Sequence, residues 1–134
     1  MGMTKRKRTE ATAVALGALT LIPGSLATAA PAPGTAGCGE GAAFVVAGTG
    51  GGGVNGVANR YRDQGYQVQQ VEYPAELMPV GSTPYDDSVN VGKAATERAV
   101  ARYQSQCPGH PVVIAGFSQG ARVAGDVIAD AGNG

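Results

Sequence analysis

Gly116-Phe117-Ser118-Gln119-Gly120 lies between an apolar run, Pro111 to Ala115, and a helix-forming run, Ala121 to Ala131. No other stretch of the chain restricts its fold so tightly. A serine at the centre of Gly-x-Ser-x-Gly must stand on a sharp strand-to-helix turn, and the glycines two residues to either side let the neighbouring backbone pass where a Cβ would clash. The helix that follows aims the positive end of its dipole, and the N–H of Gln119, at any oxyanion formed beside Ser118. In a chain with 22 glycines the pentapeptide by itself is equally a Gly/Ser turn. Its setting, an apolar strand before and a helix after, favours a nucleophile elbow with Ser118 as the nucleophile.

The rest of the chain supplies the layers that such an elbow needs. Ala42 to Ala47 reads as a buried strand, Val54 to Asp63 as a helix, Tyr66 to Glu72 as a second strand, Asp87 to Gln106 as a helix and Val112 to Ala115 as the third strand. Strands alternating with helices of this length predict an α/β fold, a three-layer α/β/α sandwich with a parallel sheet whose ligands sit beyond the C-terminal strand ends. Asp86, Asp87 and Ser88 offer the long helix an N-cap, and Val91, Ala94, Ala95, Ala99 and Tyr103 give it an apolar stripe that core packing explains.

Length allows one domain, and the first thirty residues stand apart from it. Lys5-Arg6-Lys7-Arg8 is a basic start, Ala11 to Leu26 is apolar, and Ala27-Thr28-Ala29 is a small-x-small cleavage site, the pattern of a secretory signal peptide over residues 1–29. A membrane anchor is the competing reading, but Gly17, Thr20, Pro23, Gly24 and Ser25 break the stretch below the ~20 apolar residues of a span. Residues 30–37 form a Pro/Gly-rich leader and residues 38–134 the folded domain. Removal of the first segment leaves six basic against nine acidic residues, a net charge of about −3 that argues against nucleic acid as a partner. Cys38 precedes the first strand and Cys107 the third; in an exported chain two cysteines pair by default, the alternative being two free thiols.

Gly48-Thr49-Gly50-Gly51-Gly52-Gly53 raises a different class of function. The loop fits G-x-G-x-x-G between a strand and a helix, and Glu72 ends the next strand, which together form a dinucleotide-binding fingerprint. The same glycines also serve an esterase, by presenting the N–H and hydroxyl of Thr49 to an oxyanion opposite Gln119, or they form a plain turn. Nucleotide cofactors are scarce outside the cell and leave the Ser118 elbow unexplained, so the esterase reading is preferred over a dinucleotide binder using Gly48 to Gly53.

Cys38, the Gly48-Thr49 loop, Val71-Glu72-Tyr73-Pro74-Ala75, Ser88-Val89 with Gly92, Cys107-Pro108 and Gly116 to Ala121 together resemble the cutinase-like serine esterases. Tyr73-Pro74-Ala75 is most similar to the PE-PPE-type α/β-hydrolase domain of actinobacterial secreted and envelope proteins. The resemblance runs from Cys38 to about Gly132. It implies a minimal α/β-hydrolase sandwich acting on carboxylic esters of acyl or lipid-like small molecules, with Ser118 as nucleophile, Thr49 and Gln119 as oxyanion hole, and Cys38 bonded to Cys107. Serine-based acyl transfer needs neither metal nor organic cofactor. Association with the cell envelope is a further implication.

One departure matters as much. The triad order in α/β-hydrolases is Ser, acid, His, and the 16 residues after Ser118 contain no histidine. Asp126 and Asp130 lie on the helix leaving the elbow, where a surface role is expected. His110, the single histidine, precedes the third strand; six residues at ~3.3 Å each put it roughly 20 Å from the elbow, in a solvent-exposed turn. The expectation is therefore the N-terminal portion of an esterase domain, truncated after the nucleophile helix, with the triad's acid and base missing and little activity of its own. A non-catalytic exported acyl- or lipid-binding module is the alternative. Leu77, Met78 and Val80, on the same sheet edge as Ser118, either line an acyl pocket or pack their loop. Arg60, Arg62, Arg98, Arg102 and Arg122 read as solvated helix faces.

Overall fold

β1 (Ala42–Val46) is buried at every position. Ala-Ala-Phe-Val-Val has no polar side chain to turn outward, so this strand is stable only where both its faces are covered. A computed structural model, which describes residues 37–134, shows both covers. β2 (Gln67–Gln70) and β3 (Val112–Gly116) flank β1 in the order β2-β1-β3, each parallel to it, with Phe44 level with Gln69 on one side and Ile114 on the other.

Side chains alternate along β1, so each cover has its own core. Ala42, Phe44 and Val46 pack with Val89, Ala99 and Tyr103 of α2 (Tyr85–Gln106) and Val123 of α3 (Gln119–Asn133). Val45 and Ala47 pack on the opposite face with Val54 and Ala58, at the start of and within α1 (Asn55–Asp63). The result is the expected three-layer α/β/α arrangement around a parallel sheet. β2 runs from Gln67 to Gln70, shorter than the expected Tyr66 to Glu72, while α3 is longer than expected because it starts directly at Gln119.

Two details of α2 correct the expectation. The helix begins at Tyr85, after Pro84 in an extended conformation, and no side chain caps it; Asp86, Asp87 and Ser88 all lie inside its first turn. Proline at this point ends the extended segment and fixes the entry, so the polar residues are released from capping. The inward face runs through Ser88, Val89, Gly92, Thr96, Ala99 and Tyr103, whereas Val91 is 47% exposed. Small residues, Ser88, Gly92 and Thr96, share this face with the apolar Val89, Ala99 and Tyr103. A Cβ on Gly92 would come within 2.9 Å of the Tyr73 ring and 3.0 Å of Val123, so Tyr73 and α3 meet α2 where it is thinnest.

Cys38 and Cys107 are joined in a disulfide with Cα atoms 5.8 Å apart. It ties the entry of β1 to the end of α2 just before β3, and the buried Tyr103 hydroxyl donates to the Cys38 carbonyl at 2.8 Å beside it. The signal-peptide reading of residues 1–29 lies outside the described residues, as does the leader apart from Gly37. Among the described residues, no helix is long and apolar enough to cross a membrane, and no three His, Cys, Asp or Glu side chains gather to hold a metal ion.

The disulfide spans 69 residues, for which chain-entropy arithmetic gives roughly 4 kcal/mol of stabilisation. The double variant Cys38→Ala/Cys107→Ala is expected to lose about that much of its free energy of unfolding in urea. Matching midpoints for the oxidised and reduced wild type would contradict this.

Candidate active site

Ser118 stands at the end of β3 with φ 57° and ψ −119°, a left-handed conformation that a non-glycine residue adopts at a cost of roughly 1–3 kcal/mol. Backbone proximity on both sides imposes it. A Cβ on Gly116 would collide with the carbonyl of Gly120, and one on Gly120 would fall on the carbonyl oxygens of Val46 and Ala47. Neither obstacle is a side chain that can swing aside. The Phe117 N–H continues the ladder to Val46 O at 3.1 Å, the Gly120 and Ala121 N–H groups donate to Phe117 O and Ser118 O at 2.9 Å in a tight first turn, and the Arg122 N–H reaches Ser118 O at 3.3 Å. Gln119 is the first residue of α3, so its N–H has no acceptor within the helix and points out of the helix start.

The Thr49 loop abuts this turn. A Cβ on Gly48 would lie 3.1 Å from Ser118 Cβ, so the residue preceding Thr49 is packed against the serine itself. The Gln119 side chain, 2% exposed, joins the two segments. Its Nε2 donates to Thr49 Oγ1 and to Glu76 O, both at 3.0 Å, and its Oε1 accepts from the buried Ser88 hydroxyl at 2.6 Å. The Glu76 N–H donates to Ser88 Oγ at 3.2 Å and closes the network. Thr49 and Ser118 themselves are exposed at the C-terminal edge of the sheet.

The glycine loop bends into a short 3-10 turn, Thr49–Gly51, with Gly50 at φ 84°. The N–H groups of Gly48, Gly50 and Gly51 donate to Gly52 O, Ala75 O and Gly48 O. They are thus turned into the loop, and α1 starts only at Asn55, so these amides form no cradle for a pyrophosphate. Glu72 does meet the loop, in a cavity of about 230 Å³ that it lines with Gly51, Gln70, Tyr73 and Ala75. A larger groove of about 500 Å³ lies at the opposite, entry end of the strands, between Gln67 and Gln69 of β2 and Arg102 and Tyr103 of α2.

Leu77, Met78 and Val80 are 38%, 54% and 76% exposed and line neither cavity. Their loop is clasped by Glu76, whose Oε1 accepts the Ser82 N–H, the Thr83 N–H and the Ser82 hydroxyl. Hydrogen bonds from the Thr83 side chain, and then from the Ser82 and Thr83 amides, hold this carboxyl below its ordinary 4.5. Phe117, 54% exposed, lays its ring against Gly48 and Gly53, where a Cβ on either glycine would strike it.

Sequence reasoning leaves Phe117, Glu76 and Ser88 without a part in the site. Phe117 shows itself only as an apolar residue inside the elbow, and the contacts that bring Ser88 and the Glu76 backbone to Gln119 span 12 to 43 residues, with no local signal. Asp126 pairs with Arg122 at 3.0 Å and Asp130 with Lys93 at 2.6 Å, both on the surface as expected. His110 lies at the entry to β3, 3.3 Å from Pro108 O and edge-on to Tyr103, at the far end of the strand from Ser118.

A parallel α/β/α sandwich with Gly-x-Ser-x-Gly on its strand-to-helix turn is the architecture of α/β-hydrolases. The chain belongs to the cutinase family, whose model matches residues 37–132. It is 36% identical over 77 residues to a carboxylesterase Culp6 homolog of Corynebacterium glutamicum, covering 55% of this chain and 25% of that protein. Over 72 residues it is 38% identical to acetylxylan esterase 2 of Talaromyces purpureogenus, covering 52% of this chain and 30% of that one. The catalytic core domain of acetyl xylan esterase from Trichoderma reesei superposes with a TM-score of 0.57 at 28% identity, over 64% of this chain and 46% of that one. An iodinated complex of acetyl xylan esterase gives 0.56 at 28% identity, over 69% and 46%. The chain thus spans less than a third of these two relatives' length and just under half of the solved structures.

Because the obstacles around Gly120 are backbone atoms, Gly120→Ala is expected to cost about 3 kcal/mol or more, at or beyond the upper end of ordinary overpacking. Gly125→Ala, with open space around its Cβ position, is expected to be tolerated. Chemical denaturation compares the two, and similar midpoints would refute the close approach.

The Glu76 clasp has a defined pH dependence. A carboxyl lowered by folding stabilises the folded loop fully above its ordinary 4.5, and the contribution disappears as pH falls through the lower folded value. Amide exchange at Ser82 and Thr83 is expected to lose protection on acidification in the wild type, and Glu76→Gln should remove that pH dependence.

Proposed function

We propose that this chain carries the nucleophile and the oxyanion hole of a carboxylic ester hydrolase, with Ser118 attacking the ester carbonyl and the Gln119 N–H and Thr49 hydroxyl receiving the negative oxygen. The observation that carries the reading is the strained Ser118 held between two glycines whose Cβ positions are blocked. Strain at one exposed serine, sustained by contacts on both sides, is what a reactive side chain needs and an ordinary turn does not. Gln119 Nε2 already donates to Thr49 Oγ1, so the threonine hydrogen is left for an acceptor on the open side. Family membership supports ester hydrolysis as the chemistry, and the acetylxylan esterases among the relatives support small acyl esters as the substrate class. Leu77, Met78 and Val80, exposed on a clasped loop, suit an acyl or lipid-like substituent. The disulfide fits an exported protein, in line with residues 1–29 as a signal peptide.

Attack by Ser118 requires a base to take its proton, and a serine hydroxyl is a weak nucleophile without one. The chain's single histidine, His110, lies at the wrong end of β3. A second reading, which the exposed Leu77, Met78 and Val80 support, is a module that binds acyl groups without turning them over. The two readings part at the chemical step. Loss of triad members leaves only the ~10³–10⁴-fold over water that oxyanion stabilisation and binding contribute.

The 134-residue chain is expected to form a slow, stoichiometric fluorophosphonate adduct at Ser118, visible by peptide mass spectrometry and absent in Ser118→Ala. Its turnover of p-nitrophenyl esters is expected to match that of Ser118→Ala. Equal labelling of wild type and Ser118→Ala would dismiss the nucleophile and favour the binding module. Robust Ser118-dependent turnover would show that a base reaches the serine.

A further inference from the structure

Ser88 is wholly buried in the first turn of α2, yet it neither caps that helix nor belongs to the apolar core. Both partners of its hydroxyl lead to the elbow. It donates to Gln119 Oε1 at 2.6 Å and accepts from the Glu76 N–H at 3.2 Å. The other end of the Gln119 amide spends both its hydrogens, on Thr49 Oγ1 and Glu76 O. The two ends are not interchangeable, because turning the amide over would set Oε1 against the Glu76 carbonyl oxygen, acceptor against acceptor. Fixed this way, Nε2 makes Thr49 Oγ1 an acceptor on its inner side and commits the threonine hydrogen to the outer one.

We infer that Ser88 is a positioning residue for the oxyanion hole: by holding Gln119 Oε1 it fixes the amide plane whose far end sets the direction of the Thr49 hydroxyl. The inference rests on the roles proposed above for Ser118, Thr49 and Gln119. Ser88 itself touches neither Ser118 nor any substrate atom; it acts from α2 through the glutamine. Without its hydroxyl, Oε1 is left buried with no donor, a state that side chains escape by moving. Any movement that brings Oε1 to another donor withdraws Nε2 from Thr49.

The test is the rate of Ser118 phosphonylation by a fluorophosphonate on the full chain, resolved into a maximal rate, kinact, and a half-saturation concentration, KI. Ser88→Ala is expected to lower kinact roughly ten-fold with KI unchanged, less than the ~10²–10³ lost when an oxyanion donor is removed outright. Ser88→Cys, similar in shape but a weaker donor, should fall between, and it carries the comparison by itself where Ser88→Ala does not fold. Thr96→Ala removes an equally buried hydroxyl of α2, bonded to Gly92 O and remote from the network. It is expected to keep the wild-type kinact, which separates positioning from general loosening of the helix. Wild-type kinact in the folded Ser88 variants, or an equal fall in Thr96→Ala, would overturn the role of Ser88 and leave the nucleophile reading standing. Absence of a Ser118 adduct in the wild type would overturn that reading and this inference with it.

Discussion

The backbone of α3 rests directly on the backbone of β1, and the site depends on that contact. At Gly120 no atom beyond the α-hydrogens separates the helix from the carbonyls of Val46 and Ala47. A helix seated so low must leave β3 abruptly, which forces Ser118 into its left-handed conformation and sets the first turn of α3 against the strand ends. The same seating buries Gln119 at a depth where Thr49, Glu76 and Ser88 can all reach it. One missing methyl group thus determines the strain at the serine, the direction of the helix start and the assembly of the network beneath it.

The two ends of the sheet divide the work. At the entry end the disulfide, the bond from Tyr103 to Cys38 O and the Phe44–Tyr103 ring contact hold β1, α2 and the approach to β3 together. At the exit end stand the strained serine, the glycine loop and the exposed Leu77, Met78 and Val80. Strain of ~1–3 kcal/mol persists only where the surroundings over-determine it, and a cross-link worth roughly 4 kcal/mol is of sufficient size to offset it. Separation of the two keeps the cross-link out of the way of a ligand at the strand ends.

How far this was legible in the sequence follows from the range of each interaction. The apolar run of β1, the alternation of strands and helices and the five residues around Ser118 are local patterns, and each predicts its element. The cysteines are distant in sequence, but a two-membered set leaves only one pairing. Ser88 misleads because its immediate neighbours, Asp86 and Asp87, suggest a cap, whereas its real partners lie 12 and 31 residues away. Val91 misleads because α2 meets Tyr73 and α3 at Gly92, with Ser88 and Thr96 buried on the same face, a placement invisible to any count of apolar positions. The Gly48–Gly53 loop matches a phosphate-binding pattern, and only the direction of its amides, spent on Gly52 O, Ala75 O and Gly48 O, separates the two uses.

The charged pairs around the start of α3 lie on the surface. Lys93–Asp130, Arg122–Asp126 and Arg122–Asp86 are surface pairs, each worth about 0–1 kcal/mol and screened by salt. The network beneath Ser118 consists of two hydroxyls, one carboxamide and the peptide group atoms of Glu76, none of which titrates in the range where a folded protein survives. Its geometry is therefore insensitive to pH, apart from the Glu76 carboxylate, which acts on the neighbouring loop and only in acid. It follows that a pH dependence of any chemistry at Ser118 near neutrality reports the group that removes the serine proton, not the network proposed to receive the oxyanion. The helix start and the N–H of Gln119 present positive potential beside Ser118 to a developing negative oxygen.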